Sequence, residues 1–176
     1  MSILRTNIIL VGFMGSGKSS IGRLVAQRLG FQFVDTDAII VDRAGKEIPE
    51  IFAEDGEAHF RDLETAAIRS LGHLNRCVVA TGGGAVLRDE NRQLLREMGV
   101  VVLLTAQDDV IYERVARNNK RPLLKTSDPR QTVGTMLAER QPAYAATAHS
   151  TVDSTELGRD ETAEAIITTA RTAFGW

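Results

Sequence analysis

One cysteine, Cys77, is all the chain contains. No disulfide can form within it and no thiolate-built metal site can be assembled, so a reducing compartment, the cytoplasm, is the expected location. Charge of one sign is not in excess either: 21 Lys and Arg against 23 Asp and Glu give a formal net charge of -2. Without a basic block, electrostatics gives no push toward nucleic acid or a membrane surface. Long hydrophobic runs are missing as well. The N-terminal apolar segment between Arg5 and a glycine loop is only about five residues, too short for a signal-peptide core or a membrane span. What these exclusions leave is small-molecule chemistry.

The 176 residues, 43% hydrophobic and 25% charged, suit one globular domain over 1–176 with a sizeable core. Short β-branched runs alternate with longer segments of helical period. That is the pattern of an α/β protein whose parallel sheet is covered on both faces. Strands are expected at 7–12, 32–35, 76–80, 100–104 and 150–152. Ile21, Leu24, Val25 and Leu29 recur at helix spacing up to Gly30, and Phe60, Leu63, Ala67 and Leu71 do so up to Gly72. Both glycines read as helix C-terminal stops. The stretch RNNKRPLLKTSDP, 117–129, is polar, holds two prolines and breaks the periodicity. A loop of that length calls for a functional reason, and a lid is one.

GFMGSGKSS follows the apolar run IILV and precedes IGRLVAQRL. Gly12, Gly17, Lys18 and Ser19 satisfy the phosphate-loop pattern in its required setting, strand before and helix after. Backbone N–H groups of Gly15, Ser16, Gly17, Lys18, Ser19 and Ser20 would turn inward around phosphate oxygens, at the positive end of the helix that follows. Lys18 would reach the β- and γ-phosphates of ATP, and the Ser19 hydroxyl would ligate Mg2+. A ligand-free glycine turn would need neither the lysine nor the hydroxyl. Motor ATPases and GTPases add an aspartate at the end of a second apolar strand, but VVVLL ends in Thr105 and CVVA runs into Thr81. No N-K-x-D run is present to read guanine. A phosphotransferase with its own acceptor site remains.

Asp35 and Asp37, in VDTD, would leave the same face of an extended strand end, where ligands of open α/β sheets bind. Asp35 beside Mg2+ and Asp37 on a substrate hydroxyl would relieve their mutual repulsion; alternatively, Asp37 caps a helix starting near Ala38. Gly82, Gly83 and Gly84 follow the strand CVVA. Three glycines cost backbone entropy with no packing return, which indicates either a close approach to the backbone or a flexible turn. Arg61 lies off the apolar stripe of its helix with Glu64 three residues on, and a solvated ion pair accounts for that spacing. Arg140 stands near the end of a helix that Pro142 would close. Arg121 falls in the irregular loop.

GFMGSGKSSIGR, VDTD, DGEAHFRDLE, TGGGAV, RPLL and the AERQPAY segment occur in the order and at the spacings of shikimate kinases, and the resemblance runs from about residue 7 to residue 169. Gluconate, adenylate and cytidylate kinases share only the first of these stretches. The resemblance implies transfer of the ATP γ-phosphoryl group to the 3-hydroxyl of shikimate, in aromatic amino-acid biosynthesis, by a cytoplasmic monomer. It also implies a five-stranded parallel sheet of order 2-3-1-4-5 flanked by helices, a mobile lid at 117–129 and a substrate-binding helical segment at 37–65. By position, Lys18 and Ser19 match the phosphate and Mg2+ residues, and Asp35 matches an aspartate near the metal. Asp37 matches the residue on the ring hydroxyls, Arg61 and Arg140 the clamp on the substrate carboxylate, and Gly82 to Gly84 the substrate-contacting glycines. Arg121 matches the lid arginine, and Glu64 becomes the support that orients Arg61. Two departures stand out: Ser20 replaces a common threonine, and VDSTELGRDE lacks the proline many members carry near adenine, which leaves Arg114 as the expected stacking partner. A kinase of another hydroxy acid such as gluconate, or a sensor that binds without turnover, are the competing readings.

Overall fold

The computed structural model describes residues 6–117 and 126–175. Its elements run β1 (Ile8–Val11), α1 (Lys18–Leu29), β2 (Gln32–Asp35), α2 (Thr36–Ala44), α3 (Ile48–Glu54), α4 (Gly56–Ser70), β3 (Cys77–Ala80), a 3-10 turn (Ala85–Leu87), α5 (Asp89–Met98), β4 (Val100–Thr105), α6 (Asp108–Ala116), α7 (Pro129–Thr147), β5 (Ser150–Asp153) and α8 (Arg159–Phe174). The strands form one parallel sheet of order β2-β3-β1-β4-β5, the expected order.

Alternation along the central strands assigns a helix layer to each face. Ile8, Leu10, Val78, Val102 and Leu104 pack with Ile21 and Val25 of α1 and Ile166 and Ala170 of α8. Their neighbours Ile9, Val11, Val79, Val101 and Leu103 pack with Ile68 of α4, Leu95 of α5 and Tyr144 of α7. Because both faces are covered, β1 and β3 are buried at every position. This is why they read as unbroken apolar runs and not as alternating ones.

Element ends differ from the sequence reading where a single residue changes the backbone. Arg76 sits at φ 58, a left-handed conformation that cannot continue a strand, so β3 begins at Cys77. Gly30 caps α1 at φ 65 as expected. Gly72 does not do this for α4: the helix ends at Ser70, its cap is the right-handed Leu71, and Gly72 only follows the turn. Pro142 does not close α7, which continues to Thr147. The proline lies on the exposed side of the helix, where the carbonyl it leaves without a donor can reach water.

The lower ends of β1, β3 and β4 are tied by one buried side chain. Asn7 Nδ2 donates to Leu74 O (2.8 Å) and Met98 O (2.9 Å), while Asn7 Oδ1 accepts the Cys77 N–H (3.0 Å). Asn7 is completely buried. Alanine would therefore strand two carbonyls and an amide away from water. Asn7→Ala should cost about 2–4 kcal/mol and lower Tm by roughly 5–15 °C in a chain of this size. A melting curve superimposable on that of the parent would remove the clasp from this account.

Candidate active site

The loop between β1 and α1 is shaped by its glycines. Gly15 (φ 77) and Gly17 (φ 94) hold backbone conformations that side chains disfavour, and a Cβ on Gly15 would lie 2.6 Å from Val115 Cγ2 of α6. Gly17 is the N-cap of α1 and gives it no side-chain cap, so the first N–H groups of the helix face the loop. Lys18 Nζ donates to Gly12 O (2.6 Å), Phe13 O (2.8 Å) and Ser16 Oγ (3.3 Å). Those bonds hold its charge over the loop. Ser19 Oγ donates to Asp35 Oδ2 at 2.7 Å, which brings a hydroxyl and a carboxylate from two elements to one point, and Ser20 beside it is exposed.

Asp35 also settles how β2 ends. Its Oδ1 accepts the Asp37 N–H at 3.0 Å, making Asp35 the N-cap of α2. The expectation that both carboxylates leave one extended strand face is not met, because the chain turns helical at Thr36. The cap is Asp35 and not Asp37, with the helix starting two residues before Ala38. That turn carries Asp37 toward β3. Thr36 Oγ1 accepts the Gly82 N–H (3.2 Å), and a Cβ on Gly82 would lie 2.9 Å from both Asp37 Oδ1 and Glu64 Oε1.

Side chains are kept off Gly82 and Gly84 by the protein's own charged groups, and off Gly83 by the backbone of the phosphate loop, with Met14 N 3.1 Å from a Cβ there. A Cβ on Gly84 would lie 2.5 Å from both terminal nitrogens of Arg61, and one on Gly83 would come 3.5 Å from Arg140 Nη1. Arg61 and Arg140 are each only 8% exposed, and Glu64 is fully buried. The Arg61–Glu64 pair exists at 2.9 Å, but it is buried and not the solvated pair that its spacing suggested. The apolar stripe of α4 did not reveal this, since Arg61 and Glu64 are covered by the triglycine turn and α2, not by the sheet. Each guanidinium also lies over a ring, Arg61 over Phe60 (5.2 Å) and Arg140 over Phe13 (5.5 Å). Sequence reasoning placed Phe60 only on the apolar stripe of its helix and passed over Phe13, although each is adjacent to a singled-out motif residue.

Tyr144 was passed over as well. Its hydroxyl donates to Gly83 O at 2.6 Å, and its place one turn after Arg140, at i+4, is the signal that could have found it. Arg114 is apart from this cluster: its Nη1 reaches Ser154 Oγ (3.3 Å) in the loop after β5, on the α6 side of the phosphate loop. Lys18, Ser19, Asp35, Asp37, Arg61, Arg140 and Gly82 to Gly84 thus meet at the carboxyl ends of β1, β2 and β3. Arg121, with residues 118–125 of the expected lid, lies outside the described residues.

A donor-lined phosphate loop, a hydroxyl–carboxylate pair of hard oxygens and two shielded guanidiniums beside a carboxylate can hold a nucleotide triphosphate, a divalent cation and a small anion bearing hydroxyls. The family model for shikimate kinase matches residues 14–171. The chain is 55% identical over 139 residues to a shikimate kinase of Geobacter metallireducens, covering 79% of this chain and 78% of that one. To a shikimate kinase of Thermodesulfovibrio yellowstonii it is 46% identical over 161 residues, 92% of each. Among solved structures, the shikimate kinase from Acinetobacter baumannii in complex with shikimate superposes with a TM-score of 0.88 at 36% identity, covering 98% of this chain and 94% of that one.

The buried ion pair carries a pH dependence. Burial pushes the Glu64 carboxyl up from the ordinary glutamate range, only partly opposed by Arg61. Above the ordinary range the folded protein then holds a proton that the unfolded chain has released, so this group's contribution to stability is full at acid pH and is lost as pH rises through the folded value. Glu64→Gln removes that titration. Urea midpoints from about pH 5 to pH 8 should fall less with pH in the variant than in the parent, and parallel slopes would contradict the assignment.

Proposed function

The chain belongs to the shikimate kinase family, and from that membership we infer that it transfers the γ-phosphoryl group of ATP to the 3-hydroxyl of shikimate, giving shikimate 3-phosphate in aromatic amino-acid biosynthesis. One observation carries the reading beyond fold: two buried guanidiniums converge on the triglycine turn beside Asp37. A site that merely hydrolysed a nucleotide would have no use for them, whereas an acceptor with a carboxylate and ring hydroxyls would. No observation favours the gluconate-type kinase or the sensor without turnover.

In this reading Lys18 and the N–H groups of Gly15 to Ser20 hold the β- and γ-phosphates. Ser19 and Asp35 suit Mg2+ by their oxygen chemistry, and the ion, when bound, offsets phosphate charge. Arg61 and Arg140 clamp the shikimate carboxylate. Asp37 accepts a hydrogen bond from the hydroxyl to be phosphorylated and keeps its oxygen in line with the γ-phosphorus, where positioning supplies much of the rate. The N–H groups of Gly82 to Gly84 flank the ring, and Arg114 stacks on adenine beside the Ser154 loop. Arg121 and the 117–129 lid are assigned by resemblance: a guanidinium arriving over the phosphates would stabilise charge in the transition state while closure excludes water. A single kinase domain over 1–176, acting as a cytoplasmic monomer, completes the proposal. In its support, Leu87 is the one large hydrophobic side chain exposed among the described residues, and no helix there is long and apolar enough to cross a membrane.

ADP release from ATP and Mg2+ should depend on shikimate and not on gluconate; equal release with either acid would sink the substrate assignment. Arg61→Lys should raise the shikimate KM about tenfold, because a point-charge ammonium loses the bidentate fit, with little change in the ATP KM. Weakening of both substrates alike would contradict the clamp. For Arg121→Ala we expect kcat to fall about a hundredfold with a smaller change in shikimate KM; normal turnover would place the transition-state cation elsewhere.

A further inference from the structure

Three consecutive glycines leave their peptide units free to rotate at little steric cost, yet a substrate-facing turn must present its N–H groups in fixed directions. Tyr144 supplies the missing restraint. Its ring is 2% exposed and packs with the β1, β3 and β4 face of the core, while its hydroxyl donates to Gly83 O at 2.6 Å. The Arg140 guanidinium lies near enough to the same phenol to act on it electrostatically. Burial pushes the Tyr144 phenol up to about 12, so it remains a donor throughout the range in which the enzyme would work.

A trans peptide aims its carbonyl and its following N–H in opposite directions. Anchoring Gly83 O on α7 therefore turns the Gly84 N–H away from α7. Among the described residues that N–H meets no acceptor, and the carbon of the same glycine is where the Arg61 guanidinium packs. One hydroxyl thus lies between the two guanidiniums: it neighbours Arg140 and fixes the peptide against which Arg61 rests.

We propose that Tyr144 is a positioning residue for shikimate, holding the Gly83–Gly84 peptide, between Arg61 and Arg140, in the orientation that receives the substrate carboxylate. The proposal rests on the function assigned above and adds a residue to its acceptor site.

Tyr144→Phe keeps the ring and deletes the hydroxyl. It should raise the shikimate KM roughly five- to tenfold, the size of one lost neutral hydrogen bond or a little more, with ATP KM and kcat within about threefold of the parent. Thr147→Val is the comparison: it deletes a buried hydroxyl that bonds only Ala143 O of its own helix (2.6 Å), and it should leave both KM values unchanged whatever it does to Tm. An unchanged shikimate KM in Tyr144→Phe, or equal rises for both substrates in both variants, overturns the positioning role. The parent separates this from the function itself, because absence of shikimate-dependent ADP release would refute the kinase reading alone. If that happens, or if Tyr144→Phe does not fold, the Gly84 amide of the parent is followed by NMR as shikimate is added. A shift and slower exchange support the proposal, and an unmoved resonance rejects it.

Discussion

Everything around the acceptor site depends on keeping the Arg61 guanidinium charged while almost all of it is withdrawn from water. A buried ion pair is poor value as a stabiliser, since desolvation of both ions cancels much of their attraction and an apolar pair of similar volume commonly does as well or better. Arg61 and Glu64 are therefore not explained by folding. Three features are needed to keep them in place: a carboxylate at 2.9 Å, an aromatic face under the guanidinium, and a stretch of neighbouring backbone with no Cβ at all. The ion pair is near neutral alone, the ring adds a modest cation–π attraction, and the bare glycine backbone costs entropy. Together they hold a buried cation, and on the proposed function the folded protein bears that cost before the substrate carboxylate arrives.

The sheet explains why these groups can meet. In the order β2-β3-β1-β4-β5, the connection leaving β1 runs toward β2 on one side, and the connection leaving the adjacent β3 runs toward β4 on the other. The carboxyl ends of β1 and β3 are thus the point where the chain parts in two directions, which is where open α/β sheets form their crevice. The phosphate loop is one lip and the triglycine turn is the other. Thr81 joins them: its backbone N–H (3.1 Å) and its hydroxyl (3.0 Å) both donate to Leu10 O. Donor and acceptor ends of the reaction are consequently fixed to neighbouring strands, and helices α2, α4 and α7 need only deliver Asp37, Arg61 and Arg140 into a gap the topology has already opened.

The sheet, the phosphate loop and the helix ending at Gly30 were legible because each rests on short-range physics: apolar runs, a loop pattern with its flanks, and a glycine in left-handed conformation; the strand order, a long-range property, came only from the family resemblance. Less legible was anything decided by what covers a residue. Arg61 and Glu64 at i and i+3 look like a solvated pair on paper, since nothing local tells that α2 and the triglycine turn bury them. Asp35 and Asp37 looked like twin strand carboxylates, but the capping preference of Asp35 starts α2 at Thr36, two residues before Ala38. Pro142 looked like a stop because the exposure of its helix face cannot be read from the six residues around it. Tyr144 was hidden in the opposite way, an ordinary core aromatic by pattern whose one polar atom does the specific work.

Helix α7 brings these strands of argument to one element. Its N-terminal turn pairs with α6 through Arg130 and Asp109, its middle carries Arg140, and its last turns place Tyr144 against Gly83 and offer Thr147 O to Arg96 of α5 (3.0 Å). Packing of Val133, Met136 and Leu137 against Ile111 and Val115 of α6 holds the other end, and α7 tolerates Pro142 on its wet face. A clamp made of one cation on α4 and another on α7 would have a variable width if either helix could slide. Because the Tyr144 hydroxyl and the Arg61 guanidinium both abut the Gly83–Gly84 peptide, that peptide ties α4 to α7; on the proposed clamp this is where the carboxylate would fit, and binding energy would go into recognition instead of into gathering the clamp.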